Sequence, residues 1–142
     1  MSIAEILVHK GSEVVSVEAS GTVQDAVRLL AENRIGAVPV LEGGKVIGIL
    51  SERDVVYCLS KDGETVLHRP VREVMSAPTI TIESKVSVLA ALSEMTRRRI
   101  RHLPVVEGSQ LIGIVSIGDL VAYRIRRIEE EAEAMRAYIQ GS

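Results

Sequence analysis

Apolar positions in this chain follow two alternating rhythms, and each rhythm occurs twice. Val23, Ala26, Val27, Leu30 and Ala31 recur at i, i+3, i+4, i+7 spacing, as do Val88, Ala91, Leu92 and Met95, so each run predicts a helix with one apolar face. A short β-branched run precedes each helix, VVSV at 14–17 and TITI at 79–82, and predicts a strand. After each helix comes a strand (AVPV or HLPVV), a glycine-containing turn (EGG or EGS) and a second strand (KVIGILS or QLIGIVS), which together read as a hairpin. Pro39 and Pro104 cannot donate to a ladder, so they are expected at a strand start or on an edge. A last helix then begins, ERDVVYCL in the first copy and GDLVAYRIRRIEEEAEAMRAYI in the second.

Shifting the chain by 65 positions aligns 22–54 with 87–119 without a gap, and 13 of the 33 pairs are identical, where average composition gives about two. Further upstream SIAEIL resembles PVREVM at an offset of 68, the difference being a loop insertion, which costs little. Each unit is β-α-β-β-α and too small to be stable alone, so two should pack about a pseudo-twofold axis into one core. The expected fold is therefore α+β, with repeat 1 at 3–60, a linker at 61–70, repeat 2 at 71–123 and a C-terminal helical extension at 124–142.

GILSERDV and GIVSIGDL end their strands in the same way, Ser51 with Asp54 and Ser116 with Asp119. A strand stopping at a helix N-terminus leaves backbone N–H groups and a positive dipole end, which attract phosphate. The serine hydroxyls can donate to a phosphate oxygen, and the aspartates can accept from the two vicinal hydroxyls of a ribose. Gly48 and Gly113 remove side chains where a ligand or a facing segment approaches closely. The plainer alternative is helix capping, worth about 0.5–2 kcal/mol for the serine and about 0.3–1 for the aspartate. Basic residues are not duplicated. Arg53 faces Gly118 in the alignment, and Arg101 and His102 face Gly36 and Ala37, so the two clefts should differ. Arg97, Arg98 and Arg99 read as a solvated helix C-terminus.

The doubled pattern, h-x-P followed by G-h-x-S-x-x-D, resembles a tandem pair of cystathionine-β-synthase (CBS) domains, above all the small stand-alone bacterial proteins made of little more than one pair. The resemblance runs from about residue 3 to about residue 123. It implies a regulatory module binding AMP, ADP, ATP, NAD or S-adenosylmethionine in clefts between the repeats, often as a homodimer. It places ribose on Asp54 and Asp119 and phosphate near Ser51 and Ser116, with Arg101, His102 and then Arg53 as basic contacts. It implies a base pocket of Val15, Ala37, Val38, Pro39 and Gly48, with Ile80, Leu103, Pro104 and Gly113, and no metal or obligatory cofactor.

Composition narrows the picture further. Apolar residues make up 46% of the 142 but aromatics only 2%, so the core must be aliphatic. A net charge of -2 argues against nucleic-acid binding, which favours a basic surface. No apolar run reaches the roughly 18 residues of a membrane span, and no signal core follows the start, so the chain is expected in the cytoplasm. Cys58 is alone, which excludes an internal disulfide. No phosphate loop, HExxH or Ser-His-Asp arrangement is present, so a nucleotide-binding regulator is expected rather than an enzyme, the alternative being a structural dimerisation module without a nucleotide. Val121, Ile125, Ile128, Ala132, Met135 and Ile139 form a heptad-like seam on the last helix, to be packed on its own module, against a second chain in a dimer, or against a partner enzyme.

Overall fold

The computed structural model describes residues 1–11 and 13–141; Ser142, the end of the expected extension, lies outside the described residues. Helices α2 (Val23–Asn33) and α4 (Val88–Arg98) occupy the two amphipathic runs. Their starts are set by side-chain caps: Thr22 Oγ1 accepts from the Asp25 N–H, and Ser87 Oγ from the Ala90 N–H. Both helices stop on an arginine in the left-handed region, Arg34 at φ 52° and Arg99 at φ 56°.

Each repeat carries one three-stranded sheet with the same order. In the first, β1 (Val17–Glu18) runs parallel to β2 (Ala37–Glu42), which pairs antiparallel with β3 (Lys45–Ser51). In the second, β4 (Ile82–Glu83), β5 (His102–Glu107) and β6 (Gln110–Ser116) repeat the arrangement. The hairpin between β2 and β3 turns on Gly43 and Gly44, both at positive φ, which glycine adopts without strain. The leading strands are shorter and later than the expected 14–17 and 79–82, because β1 and β4 each find only two partners on the neighbouring strand.

Pro39 sits third in the central strand rather than at its start, yet the physical reason for expecting an edge still applies. Ile49, its cross-strand partner, gives its N–H and C=O to Ser76. The Pro39–Ile49 pair is therefore not hydrogen-bonded, and the proline nitrogen faces the β1 side, where the ladder begins only at Val17 opposite Val40.

Helix α3 (Glu52–Asp62) follows β3, and α5 (Ile117–Gly141) follows β6. None of the helices among the described residues is long and apolar enough to cross a membrane. The segment expected as a linker is folded: a 3-10 helix spans Gly63–His68 and buries Val66 completely.

The two hydrophobic clusters do not follow the sequence repeats. Helix α1 (Ile3–Lys10) opens the stretch expected as repeat 1, but its Ile3 and Ile6 are buried with Ile82, Val88, Met95, Leu103, Val105 and Leu120 of repeat 2. Conversely Val71 and Val74, which lead into repeat 2, are buried with Val23, Leu30, Val40 and Leu50 of repeat 1. Backbone bonds follow the same exchange: Ile3 N–H donates to Val86 C=O, and Val71 N–H donates to Gly21 C=O. Each half thus carries the leader of the other. β3 and β6 meet between the halves.

Candidate functional site

Ser51 and Asp54 stand where β3 becomes α3, and they form a reciprocal cap. Asp54 N–H donates to Ser51 Oγ at 3.2 Å, while Asp54 Oδ2 accepts from the Ser51 N–H at 2.9 Å and from Ser51 Oγ at 3.1 Å. Ser116 and Asp119 repeat this at the start of α5, at 2.8 and 3.1 Å. Glu52 N–H donates to Gly36 C=O, and Ile117 N–H to Arg101 C=O. Three amides at each helix start are therefore already bonded. Fewer unbonded amides are thus left there for a phosphate than a bare helix start offers, and cationic side chains are the other source of positive charge.

Those side chains converge on a cleft of about 610 Å³ between the halves. Repeat 1 contributes Ser51, Glu52, Arg53, Asp54 and Val56, and the segment after the second leader contributes Ser76, Pro78, Thr79 and Ile80. Arg99, Ile100, Arg101 and His102 close it from the start of β5. Five residues expected to bind phosphate or ribose, Ser51, Arg53, Asp54, Arg101 and His102, thus share one wall system, together with Ile80. Ser76 Oγ donates to Asp54 Oδ1 at 2.9 Å. Sequence reasoning missed Glu52, Ser76 and Arg99; only Arg97 and Arg98 are spent on the exposed helix end, both paired with Glu94.

His102 lies against Gly36, where a Cβ would stand 3.2 Å from its Nε2. Desolvation, followed by the Lys10 charge, lowers its pKa from the ordinary value despite the opposing pull of Asp119 and Glu52. At neutral pH it is an uncharged donor or acceptor beside the arginines.

The second Ser/Asp pair is differently placed. Lys10, at the end of α1, puts Nζ 2.8 Å from Asp119 Oδ2 and 2.8 Å from Ile114 C=O. The space beside it, lined by His9, Lys10, Asp119 and Arg126 among others, is about 170 Å³. Partial burial, the strongest influence on Asp119, pushes its pKa up, but the hydrogen bond and charge of Lys10 together with the hydrogen bonds from Ser116 outweigh it and hold the carboxyl below the ordinary value.

The remaining expected pocket residues are elsewhere. Ala37, Val38 and Leu103 are core residues, Pro39 and Pro104 are buried in their strands, and Val15 packs against the first cluster. A Cβ on Gly48 would stand 2.6 Å from Met75 Sδ and 2.9 Å from Ser76 C=O, and one on Gly113 would stand 2.6 Å from Leu7 Cδ2. The close approach at both glycines is made by the exchanged leaders.

A family model of the CBS domain matches residues 3–61 and 71–126. Among curated proteins, the CBS domain-containing protein CBSX3, mitochondrial, of Arabidopsis thaliana is 36% identical over 125 residues, which cover 84% of this chain. The match spans only 61% of the plant protein's length. Among solved structures, the CBS-domain containing protein ATU1752 from Agrobacterium tumefaciens superimposes with a TM-score of 0.82 at 34% identity, covering 87% of this chain and 99% of that one. The CBS domain pair of protein MJ0100, solved with 5'-methylthioadenosine and S-adenosyl-L-methionine, shares the fold at a TM-score of 0.79 and 20% identity, covering 89% of this chain and 98% of that one.

Proposed function

This chain belongs to the CBS-domain family, as a regulatory pair of such domains, and from that premise we propose that it senses adenine nucleotides by binding one between Asp54 and Arg101. One observation carries the reading: a cleft of about 610 Å³ with an acceptor carboxylate on one wall and Arg53, Arg99 and Arg101 around it. That volume lies within the range of about 300–1,000 Å³ common for small-molecule sites. The ribose hydroxyls donate to Asp54 in place of Ser76, the phosphates meet the arginines, and the base rests on the aliphatic side chains of Ile49, Val56, Pro78 and Ile80. Adenosine-containing ligands in the MJ0100 pair support the choice of base. Lys10 already occupies Asp119, which favours one ligand per chain over two.

The test is thermal unfolding of the whole chain with AMP, ADP, ATP, NAD, S-adenosylmethionine and, as a base control, GMP. At a hundred times its Kd a ligand adds about 2.7 kcal/mol of stability, several degrees for a chain of this size. A rise with adenine compounds and none with GMP supports the reading. Flat curves at millimolar concentration would overturn it and leave a structural dimerisation module, the reading that the apolar stripe on α5 favours.

A further inference from the structure

Of the residues that line the cleft, His102 alone ordinarily changes charge near neutrality, since the others that titrate are carboxylates and arginines. Its ring spans the two halves. It stands opposite Ser116 in the β5–β6 ladder of repeat 2, while its Nε2 lies 3.2 Å from where a Cβ on Gly36 of repeat 1 would be. Glu52 Oε1 lies 3.6 Å from the same point. Among the described residues none hydrogen-bonds to either ring nitrogen, so the imidazole is available to a ligand in the cleft.

The charges that face the ring oppose one another. Lys10 at the end of α1 and the adjacent Arg101 disfavour a proton on it, while Asp119 on α5 and Glu52 on α3 favour one. Burial is the largest influence and leaves the ring uncharged at neutral pH. Arg53 on α3 and Arg99 at the end of α4 line the same cleft, and neither they nor Arg101 form an ion pair among the described residues. A phosphate drawn to these three arginines brings negative charge to the one wall residue that can answer it by gaining a proton. The protonated ring would then donate a charge-assisted hydrogen bond, which is stronger than a neutral one. A bare nucleoside brings no such charge and leaves the ring as it is.

We propose that His102 takes up a proton from solvent as a phosphorylated nucleotide enters the cleft, so that it separates phosphorylated from bare nucleosides more sharply as pH falls through neutrality. The inference rests on the nucleotide reading of the cleft and adds to it a regulation by pH. Its sign follows from linkage: a ring that holds its proton more tightly in the complex makes binding tighter at lower pH, by at most about tenfold per pH unit for one proton.

Titration calorimetry of the full chain with AMP, ATP and adenosine, at pH 7 in buffers of different ionisation enthalpy, counts the protons taken up by wild type and by His102→Gln. The phosphates of the ligands also titrate, equally for both proteins, so the difference between the two isolates His102. Wild type should take up a fraction of a proton more per nucleotide than the variant, and no more per adenosine. Between pH 8 and pH 6 its affinity for AMP should rise severalfold relative to that of His102→Gln. Equal uptake by two proteins that both bind AMP would overturn the proton linkage and leave the nucleotide reading standing, whereas binding of neither nucleotide by wild type at millimolar concentration would overturn both. An excess uptake as large with adenosine would overturn the role given to the phosphate. If His102→Gln fails to fold, imidazole NMR of wild type decides, with His9→Gln and His68→Gln to assign the other two histidines. The His102 ring should titrate higher with AMP than without it, and an unmoved titration would overturn the proposal.

Discussion

Lys10 Nζ and Asp119 Oδ2 lie 2.8 Å apart although 109 positions separate them in the chain. The pair is roughly one-third exposed, so breaking it with Lys10→Ala should cost under about 1 kcal/mol at neutral pH. Asp119 titrates below its ordinary value near 3.8, so the stability it adds is present above that value and is lost as pH falls through the lower, folded-state one. In Lys10→Ala, carboxyl NMR should find Asp119 titrating higher than in wild type. An unmoved titration would mean that Lys10 does not hold the carboxyl down.

Asp54 both caps α3 and faces the cleft, so Asp54→Ala should show two separable losses. Stability falls by about 0.3–1 kcal/mol as its half of the capping box and its favourable place in the first turn are lost. Nucleotide affinity falls roughly ten- to a hundred-fold, equivalent to about 1.4–2.8 kcal/mol. Calorimetric titration alongside urea unfolding separates them, and affinity equal to wild type would remove Asp54 from the binding site.

Arg101 is exposed at the cleft wall and its role is read as electrostatic. Arg101→Ala should weaken AMP binding about tenfold, in line with loss of one charge-assisted hydrogen bond, and leave adenosine unaffected. The same loss for both ligands would assign Arg101 to the base or sugar instead.

His102 is half-buried between Lys10, Asp119, Glu52 and Arg101, and its pKa is lowered. Between that value and the ordinary 6.5 the unfolded chain binds more protons than the folded one, so stability is fully present above 6.5 and declines as pH falls below it. Urea unfolding at pH 8 and pH 5.5 should reveal the decline, and His102→Gln should flatten it. A slope unchanged in the variant would place the titrating group elsewhere.

Gly48 and Gly113 are equivalent in the repeat but face different obstacles. A methyl at Gly48 meets the Ser76 backbone carbonyl as well as Met75, whereas the nearest atoms to one at Gly113 belong to the Leu7 side chain, which can turn aside. Gly48→Ala should therefore cost more, about 1–3 kcal/mol, than Gly113→Ala. Chemical denaturation of both variants ranks them; the reverse order would mean that the leader over Gly113 is the more rigid.

The repeat was legible because each copy carries its own apolar period, its own turn glycines and its own Ser/Asp pair, all of them local signals. The exchange of leaders was not. Residues 3–7 and 70–75 present near-identical apolar patterns, so sequence offers no preference for which core each fills. Lys10 inherits that blindness: its place beside Asp119 follows from the exchange alone. Ser76 and Arg99 were hidden for a related reason, since a cleft built from three separated segments has no spacing to read. The capping role of Ser51 and Asp54 was visible locally, and the structure makes it concrete in both copies.

The crossed leaders also impose an order in time. By the time residue 75 has been made, every segment of the first cluster exists and can close around Val66 and Val71. Ile3 and Ile6, made before any of that cluster, find their partners only when the chain has reached Tyr123. At about 5–20 residues per second this is a delay of seconds, during which α1 trails a finished half with its apolar face bare. Of the two leaders, the one made first is thus the one buried last.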